Sequence, residues 1–236
     1  MIGRMIGLSS ATMTALLATG CAGSGRPALA QTTATELCTN AQVEHDGWFV
    51  TFWKDGGEAC MGLGPGGSYT TRYTLSPRFN LVAGKGWRTG SPGRTVSYRA
   101  DRFDAGANSY LTLYGWSVDP LVEYYVVDDW GSRFKPPGRG AQVLGIVETD
   151  GGTYEIYRTV REQKPSIRGT QTFDQFWSVR TERRPVGSDA TITFANHVAA
   201  WREVGLDLGR MDYQVLATEG FGSDGASAIA IEPAAD

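Results

Sequence analysis

The sequence predicts an all-β domain, a sandwich or jelly roll of antiparallel strands with one helix packed on it. Three observations predict it. Glycine is the compositional outlier, at 31 of 236 residues, close to double the usual share of about 7%. Aromatic residues are plentiful, with seven Trp, ten Tyr and nine Phe, and aromatic and β-branched runs separated by Gly-rich turns are strand signals. Seven turn clusters then cut residues 42–231 into short alternating segments: DGGE (55–58), GPGG (64–67), RTGSPG (88–93), DAGAN (104–108), KPPGRG (135–140), TDGG (149–152) and RRPVGSD (183–189). Such spacing belongs to sandwiches and jelly rolls. A hydrophobic content of 41% excludes a disordered chain. The net charge of −3 and pI near 5.5 argue against a nucleic-acid or anionic-membrane partner. Two histidines and three cysteines are too few for a convincing zinc site.

Taken in order, residues 1–30 read as a signal peptide rather than as structure. Arg4 supplies a short positive region, residues 6–20 an apolar stretch too short and polar to span a membrane, and Ala28-Leu29-Ala30 a small-x-small cleavage pattern. A lipoprotein box at Leu17-Ala18-Thr19-Gly20-Cys21 is the alternative, with Cys21 as the lipidated first residue and Ala18 as its weak point. The expectation is therefore a secreted protein, a lipid-anchored form at Cys21 being the second choice. Cleavage after Ala30 leaves 206 of 236 residues and removes two arginines but no acids, so the net charge moves from −3 to −5. Cys38 and Cys60 remain, either as a disulfide or as two buried thiols.

No linker, charge block or repeat divides the rest, so residues 31–236 read as one domain with its core at about 42–231. One segment breaks the strand rhythm. Residues 194–204 place Phe194, His197, Val198, Trp201 and Val204 at helical spacing, opposite Arg202 and Glu203. Thr193 is the candidate N-cap and Gly205 the C-terminal stop. His197 reads as a core histidine with a satisfied hydrogen bond, and His45 as solvated.

The chemistry narrows quickly. G-x-S-x-G, H-E-x-x-H and P-loop patterns are all missing from the sequence, which leaves carboxylates as general acid/base candidates. Most acids lie in turns or beside arginines. Two differ: Glu123 inside PLVEYYVV (120–127) and Glu219 at the end of MDYQVLATEGF (211–221). Strand alternation puts Glu123, Tyr125 and Val127 on one face, and Tyr213, Val215, Ala217 and Glu219 on one face. Each glutamate alone could be a surface residue on the sheet's outer side. Two of them on a tyrosine-lined face would be costly unless paired or functional, and paired carboxylates among aromatic platforms are the equipment of glycoside hydrolysis.

At these residues the sequence resembles the family 11 glycoside hydrolases, the small endo-1,4-β-xylanases. The resemblance spans about residues 46–231 and rests on ordered motifs: GWFVTFWKDGG (47–57), GPGGSY (64–69), NLVAGKGW (80–87), SYLTLYGW (109–116), PLVEYYVVDDWG (120–131), DGGTYEIYRTVR (150–161), KPSIRGTQTFDQFWSVR (164–180), TITFANHVAAW (191–201) and MDYQVLATEGF (211–221). It implies a β-jelly roll of two curved, packed sheets, shaped like a partly closed right hand, with a xylan-binding cleft under a hairpin "thumb". It further implies a retaining mechanism with Glu123 as nucleophile and Glu219 as general acid/base, their carboxyl groups about 5–5.5 Å apart. Glu123 would be held ionised by Tyr114 and Tyr125, while Glu219, facing that anion, would keep its proton. Trp53 resembles the platform that stacks on a sugar ring, Arg161 a cleft arginine, Pro165, Ser166 and Ile167 the thumb tip, and Gln175 and Tyr213 cleft hydrogen-bonding positions. Trp116 would support the cleft floor, and His197 and Ser178 would form a buried structural pair. No metal or organic cofactor is implied. The expected partner is xylan or xylo-oligosaccharides, with no nucleic acid, no obligate protein partner and a monomeric chain.

Two departures, the longer turn LSPRF (75–79) and Tyr73 where the family often carries Trp, bear on one end of the cleft. Arg168 beside the thumb tip is expected to face solvent, or else to favour acidic xylan decorations. Two rivals remain: an endo-β-1,4-glucanase of the related jelly-roll clan, which the PSI and LVEYY contexts disfavour, and a carbohydrate-binding protein without activity, which both glutamates in motif context disfavour. In the family the position of Asn80, beside the acid/base, carries Asn or Asp, and Asp accompanies acidic pH optima. A neutral amide adds no second group that must hold a proton, so a near-neutral optimum is expected. Asn80→Asp should shift the pH–rate profile to clearly lower pH, and an unshifted profile would remove Asn80 from this role.

Overall fold

A computed structural model of the chain describes residues 35–233. The segment read as a signal peptide and the Cys21 box lie outside the described residues. Among the described residues the chain forms two sheets and one helix. The six-stranded sheet runs, in spatial order, β1 (Thr35–Leu37), β4 (Glu58–Leu63), β5 (Gly67–Thr74), β15 (Asp224–Ile231), β7 (Thr95–Asp104) and β13 (Asp189–Thr193). The nine-stranded sheet runs β10 (Gly145–Thr149), β11 (Gly152–Ser166), β12 (Gly169–Arg180), β9 (Val122–Trp130), β8 (Ser109–Val118), β14 (Arg210–Phe221), β6 (Asn80–Trp87), β3 (Trp48–Lys54) and β2 (Ala41–His45). Each predicted turn cluster spans a junction between successive strands. Between the named strands pairing is antiparallel apart from β12 with β9, which run parallel.

The alternation of side chains separates two apolar clusters on the two faces of the nine-stranded sheet. Val122, Tyr124 and Val126 of β9, with Leu111 and Leu113 of β8, join Met61, Tyr69, Tyr98, Ile229 and others in the core between the sheets. Tyr125 and Val127, with Tyr110, Tyr114 and Trp116, face the other way. The inter-sheet core removes whole aromatic side chains from water, each worth about 1.5–3 kcal/mol. Gly115 permits that packing, because a Cβ there would collide with the Tyr124 hydroxyl and the Tyr213 carbonyl.

Helix α1 (Phe194–Glu203) buries Phe194, His197, Val198, Ala200 and Trp201. Gly205 ends it in the left-handed region, at φ 79°. Thr193 stands at the N-cap position without capping; instead its N–H and hydroxyl donate to the Asp150 carboxylate at 2.7 and 2.8 Å. The expected His197–Ser178 pair does not form. Ser178 accepts the Trp201 indole N–H at 3.0 Å. The His197 ring meets Tyr154 edge-on at 4.7 Å, and neither of its nitrogens has a partner among the described residues. Burial pushes its pKa down to about 4, so it is neutral in the core. His45 is half-buried rather than solvated, with Lys85 Nζ 3.3 Å away.

Asp128, which the sequence reading passed over, is fully buried where the sheets meet. It accepts from Tyr98 of the six-stranded sheet and Tyr154 of the nine-stranded sheet, each at 2.5 Å, and from Arg184 at 2.7 Å. Three donors compensate a charge that would otherwise be expensive to bury. The cysteine alternative resolves as a Cys38–Cys60 disulfide across 22 positions, fastening the segment before β2 to β4. Closing a loop of that length stabilises by about 3 kcal/mol in the chain-entropy model. Cys38→Ser/Cys60→Ser should therefore lose about 3 kcal/mol of unfolding free energy in a denaturant titration; an unchanged midpoint would show that the bridge carries no stability.

Candidate active site

Cross-strand register places the candidate residues in rows on the outer face of the nine-stranded sheet. Trp53 lies opposite Val82, Val82 opposite Glu219, Glu219 opposite Tyr110 and Tyr110 opposite Trp130. A second row joins Thr159, Gln175, Glu123 and Trp116. Between them run Trp177, Tyr125, Tyr114 and Val215. Trp53 and Ile167 are half-buried and pack onto this aromatic face, as does Phe134 from the β9–β10 connection.

Glu123 is 8% exposed and Glu219 6%. Both oxygens of Glu123 are held: Tyr114 donates to Oε1 at 2.7 Å and Gln175 Nε2 to Oε2 at 2.6 Å. Burial nevertheless pushes the Glu123 pKa up, against Tyr114, Gln175, Tyr125 and the Arg161 charge, which all lower it. The expected bonds from Tyr114 and Tyr125 do favour the ionised form, and burial acts against them. The second direct donor is Gln175, while Tyr125 lies between the carboxyl groups and lowers both pKa values. Tyr125 is itself stacked on Trp177, with ring centres 3.8 Å apart and planes within 7°.

Glu219 lacks that support. Its Oε2 is buried with no partner among the described residues. Burial first, and the Glu123 charge second, raise its pKa to about 8, opposed by Asn80, Tyr125 and Arg161. Asn80 is anchored at the start of β6, where its N–H donates to Asp55 at 2.6 Å and its Oδ1 accepts the Leu81 N–H at 2.9 Å. Its side-chain amide is thereby left to donate towards Glu219.

The remaining candidates surround this pair. Tyr213 lies 6.1 Å from Tyr114, ring to ring. Arg161 is exposed on β11. The β11–β12 hairpin carries Pro165, Ser166 and Ile167 at its tip, where Ser166 Oγ donates to the Gly169 carbonyl at 2.7 Å and Gly169 takes φ 76°. Arg168 faces solvent, as expected, and pairs there with the exposed Asp119 of the β8–β9 turn at 3.3 Å. Tyr73 is corrected: it lies in the inter-sheet core, bonded to Ser109 at 2.7 Å, and not at a cleft end. In the LSPRF turn Leu75 is buried and Phe79 covers Gly56. The sequence reading missed Thr159, Trp177, Tyr110 and Phe134 on the site face. Alternation along β11, β12 and β8 could have found the first three; Phe134 sits in an irregular connection with no periodic signal.

A jelly roll bearing this unequal carboxyl pair on an aromatic face has the equipment of two-carboxylate glycoside hydrolysis. The sequence profile described as Glycosyl hydrolases family 11 matches residues 45–230, and the chain belongs to that family. It is 44% identical over 191 residues to endo-1,4-beta-xylanase B of Phanerodontia chrysosporium, covering 80% of this chain and 63% of that one. It is 44% identical over 200 residues to endo-1,4-beta-xylanase Xyn11B of Cellvibrio japonicus, covering 84% and 56%. It is 47% identical over 189 residues to endo-1,4-beta-xylanase 11A of Humicola insolens, covering 79% and 82%. The matched stretch thus spans less than two thirds of the first two relatives.

The Glu219 setting has a measurable consequence. A carboxyl whose pKa rises from 4.5 to about 8 on folding binds more protons in the native state. Its contribution therefore erodes as pH climbs from 4.5 to about 8 and is fully lost above. Glu219→Gln removes this penalty. The variant should melt at a higher temperature than the parent in alkaline buffer, the gap narrowing as pH falls; a gap independent of pH would contradict a buried, raised Glu219.

Proposed function

We propose that the chain is an endo-1,4-β-xylanase that hydrolyses internal bonds of xylan with retention at the anomeric carbon. The observation that carries this is the unequal setting of the two glutamates: Glu123 with a donor on each oxygen, Glu219 buried with one oxygen unpartnered among the described residues and its pKa raised to about 8. In the first step a Glu123 oxygen bonds to the anomeric carbon as the glycosidic C–O bond breaks, and the Glu219 proton passes to the departing oxygen. The anion on Glu123 is thereby consumed. With its like-charged neighbour gone, the Glu219 pKa falls, and Glu219 becomes able to take a proton from water. That water attacks the anomeric carbon, the ester to Glu123 breaks, and both carboxyl groups return to their starting states.

Activity needs Glu123 ionised and Glu219 protonated. The rate should fall at low pH as Glu123 gains a proton, and fall again as pH rises through about 8. In this reading Trp53 offers its indole to an apolar sugar face, Arg161 keeps both carboxyl groups from rising further, and Pro165, Ser166 and Ile167 contact the sugar chain from above. Xylan or its oligosaccharides are the partner, met by a single chain. Secretion through residues 1–30 is part of the same proposal, and a disulfide at Cys38–Cys60 suits an oxidising compartment.

Reducing-sugar release tests the reading. The protein should release sugars from xylan and little from carboxymethyl-cellulose, and Glu219→Gln should reduce the xylan rate by about two orders of magnitude or more, as expected for loss of a general acid. Release from cellulose alone would make it a glucanase. Binding of xylan without release would make it a carbohydrate-binding protein.

A further inference from the structure

The Gln175 carboxamide can face Glu123 in two ways. With Nε2 towards the carboxylate it donates; turned over, it would set Oε1 against a negative oxygen. What decides between them lies one strand further out. Trp177 Nε1 donates to Thr159 Oγ1 at 2.9 Å, and Thr159 Oγ1 donates to Gln175 Oε1, also at 2.9 Å. An indole N–H can only donate. It occupies a lone pair on the Thr159 oxygen and leaves the hydroxyl proton to point at Gln175. That proton holds Oε1, and Nε2 is left facing Glu123 Oε2 at 2.6 Å. The other oxygen has a parallel arrangement: Trp116 Nε1 donates to the Tyr114 hydroxyl at 2.8 Å, and Tyr114 donates to Oε1 at 2.7 Å.

We propose that Thr159 and Trp177 are positioning residues for the nucleophile: they form a one-way hydrogen-bond chain that locks Gln175 with its NH₂ group towards Glu123. Thr159 does not touch the reacting atoms; it acts through Gln175 alone. Trp177 has a double task, since the same ring that starts the chain also carries Tyr125 on its face. The inference rests on Glu123 as nucleophile.

The test is a double-mutant cycle on xylan, following kcat, KM and the acidic limb of the pH–rate profile. Thr159→Val keeps the shape and removes the hydroxyl at a half-buried position. It should lower kcat about tenfold with KM within about twofold, the size expected for weakening a hydrogen bond to a charged group. The acidic limb should move to higher pH, because a poorly held carboxylate gains its proton sooner. Thr159→Ser should restore both. On a Gln175→Ala background, Thr159→Val should change nothing further, because its route to Glu123 is already cut. Thr159→Ala gives the same contrast if valine crowds the strand. An unmoved acidic limb in Thr159→Val, a serine variant as impaired as valine, or additive effects in the double variant would each overturn the inference. If Gln175→Ala is impaired while Thr159→Val is not, this inference alone falls. If Glu123→Gln retains full activity, the nucleophile reading falls, and this inference with it.

Discussion

The whole site depends on holding one anion where water cannot solvate it. Burial alone drives both glutamates towards their neutral forms. The asymmetry comes from hydrogen-bond donors. Glu123 receives one on each oxygen, and Glu219 has a buried oxygen with no partner among the described residues. A negative charge on Glu123 in turn raises the pKa of Glu219. The proton inventory of the pair is thus a property of neighbours, since the two residues are chemically the same.

The nine-stranded sheet supplies those neighbours by register. Gln175 reaches Glu123 because β12 pairs with β9 in parallel, an exception in a fold of antiparallel ladders. Tyr114 reaches it from β8 on the opposite side. The opposite face of the same strands is committed to the inter-sheet core, where Tyr124 and Val126 are fully buried. Beyond them Asp128 draws hydroxyl donors from both sheets. The sheet that arms the site is therefore also the wall of the core that fixes it.

Much of this was legible in the sequence. Turn chemistry at seven clusters marked junctions between strands, and the 194–204 spacing marked the helix, because both signals are local. Alternation alone put Glu123 with Tyr125, and Glu219 with Tyr213, on common faces; the ordered motifs then joined those faces. What escaped was the identity of hydrogen-bond partners. Ser178 bonds Trp201 rather than His197, Thr193 serves Asp150 rather than the helix N-terminus, and Gln175 joins the tyrosines at Glu123. Each of these pairs joins residues far apart in the chain, and their choice turns on ångström-scale placement that no periodicity encodes. Tyr73 shows the same limit from the apolar side: its register is plain, but the layer it enters is set by packing.

One consequence follows from β8. All ten of its residues are buried, because one face lines the core and the other the aromatic floor. Such a strand has no neutral position on which chance substitutions can accumulate. The β11–β12 hairpin is the reverse, with exposed side chains along most of its outer half. Divergence between descendants of this chain should therefore concentrate at the hairpin, while the aromatic floor along β8 is inherited almost unaltered.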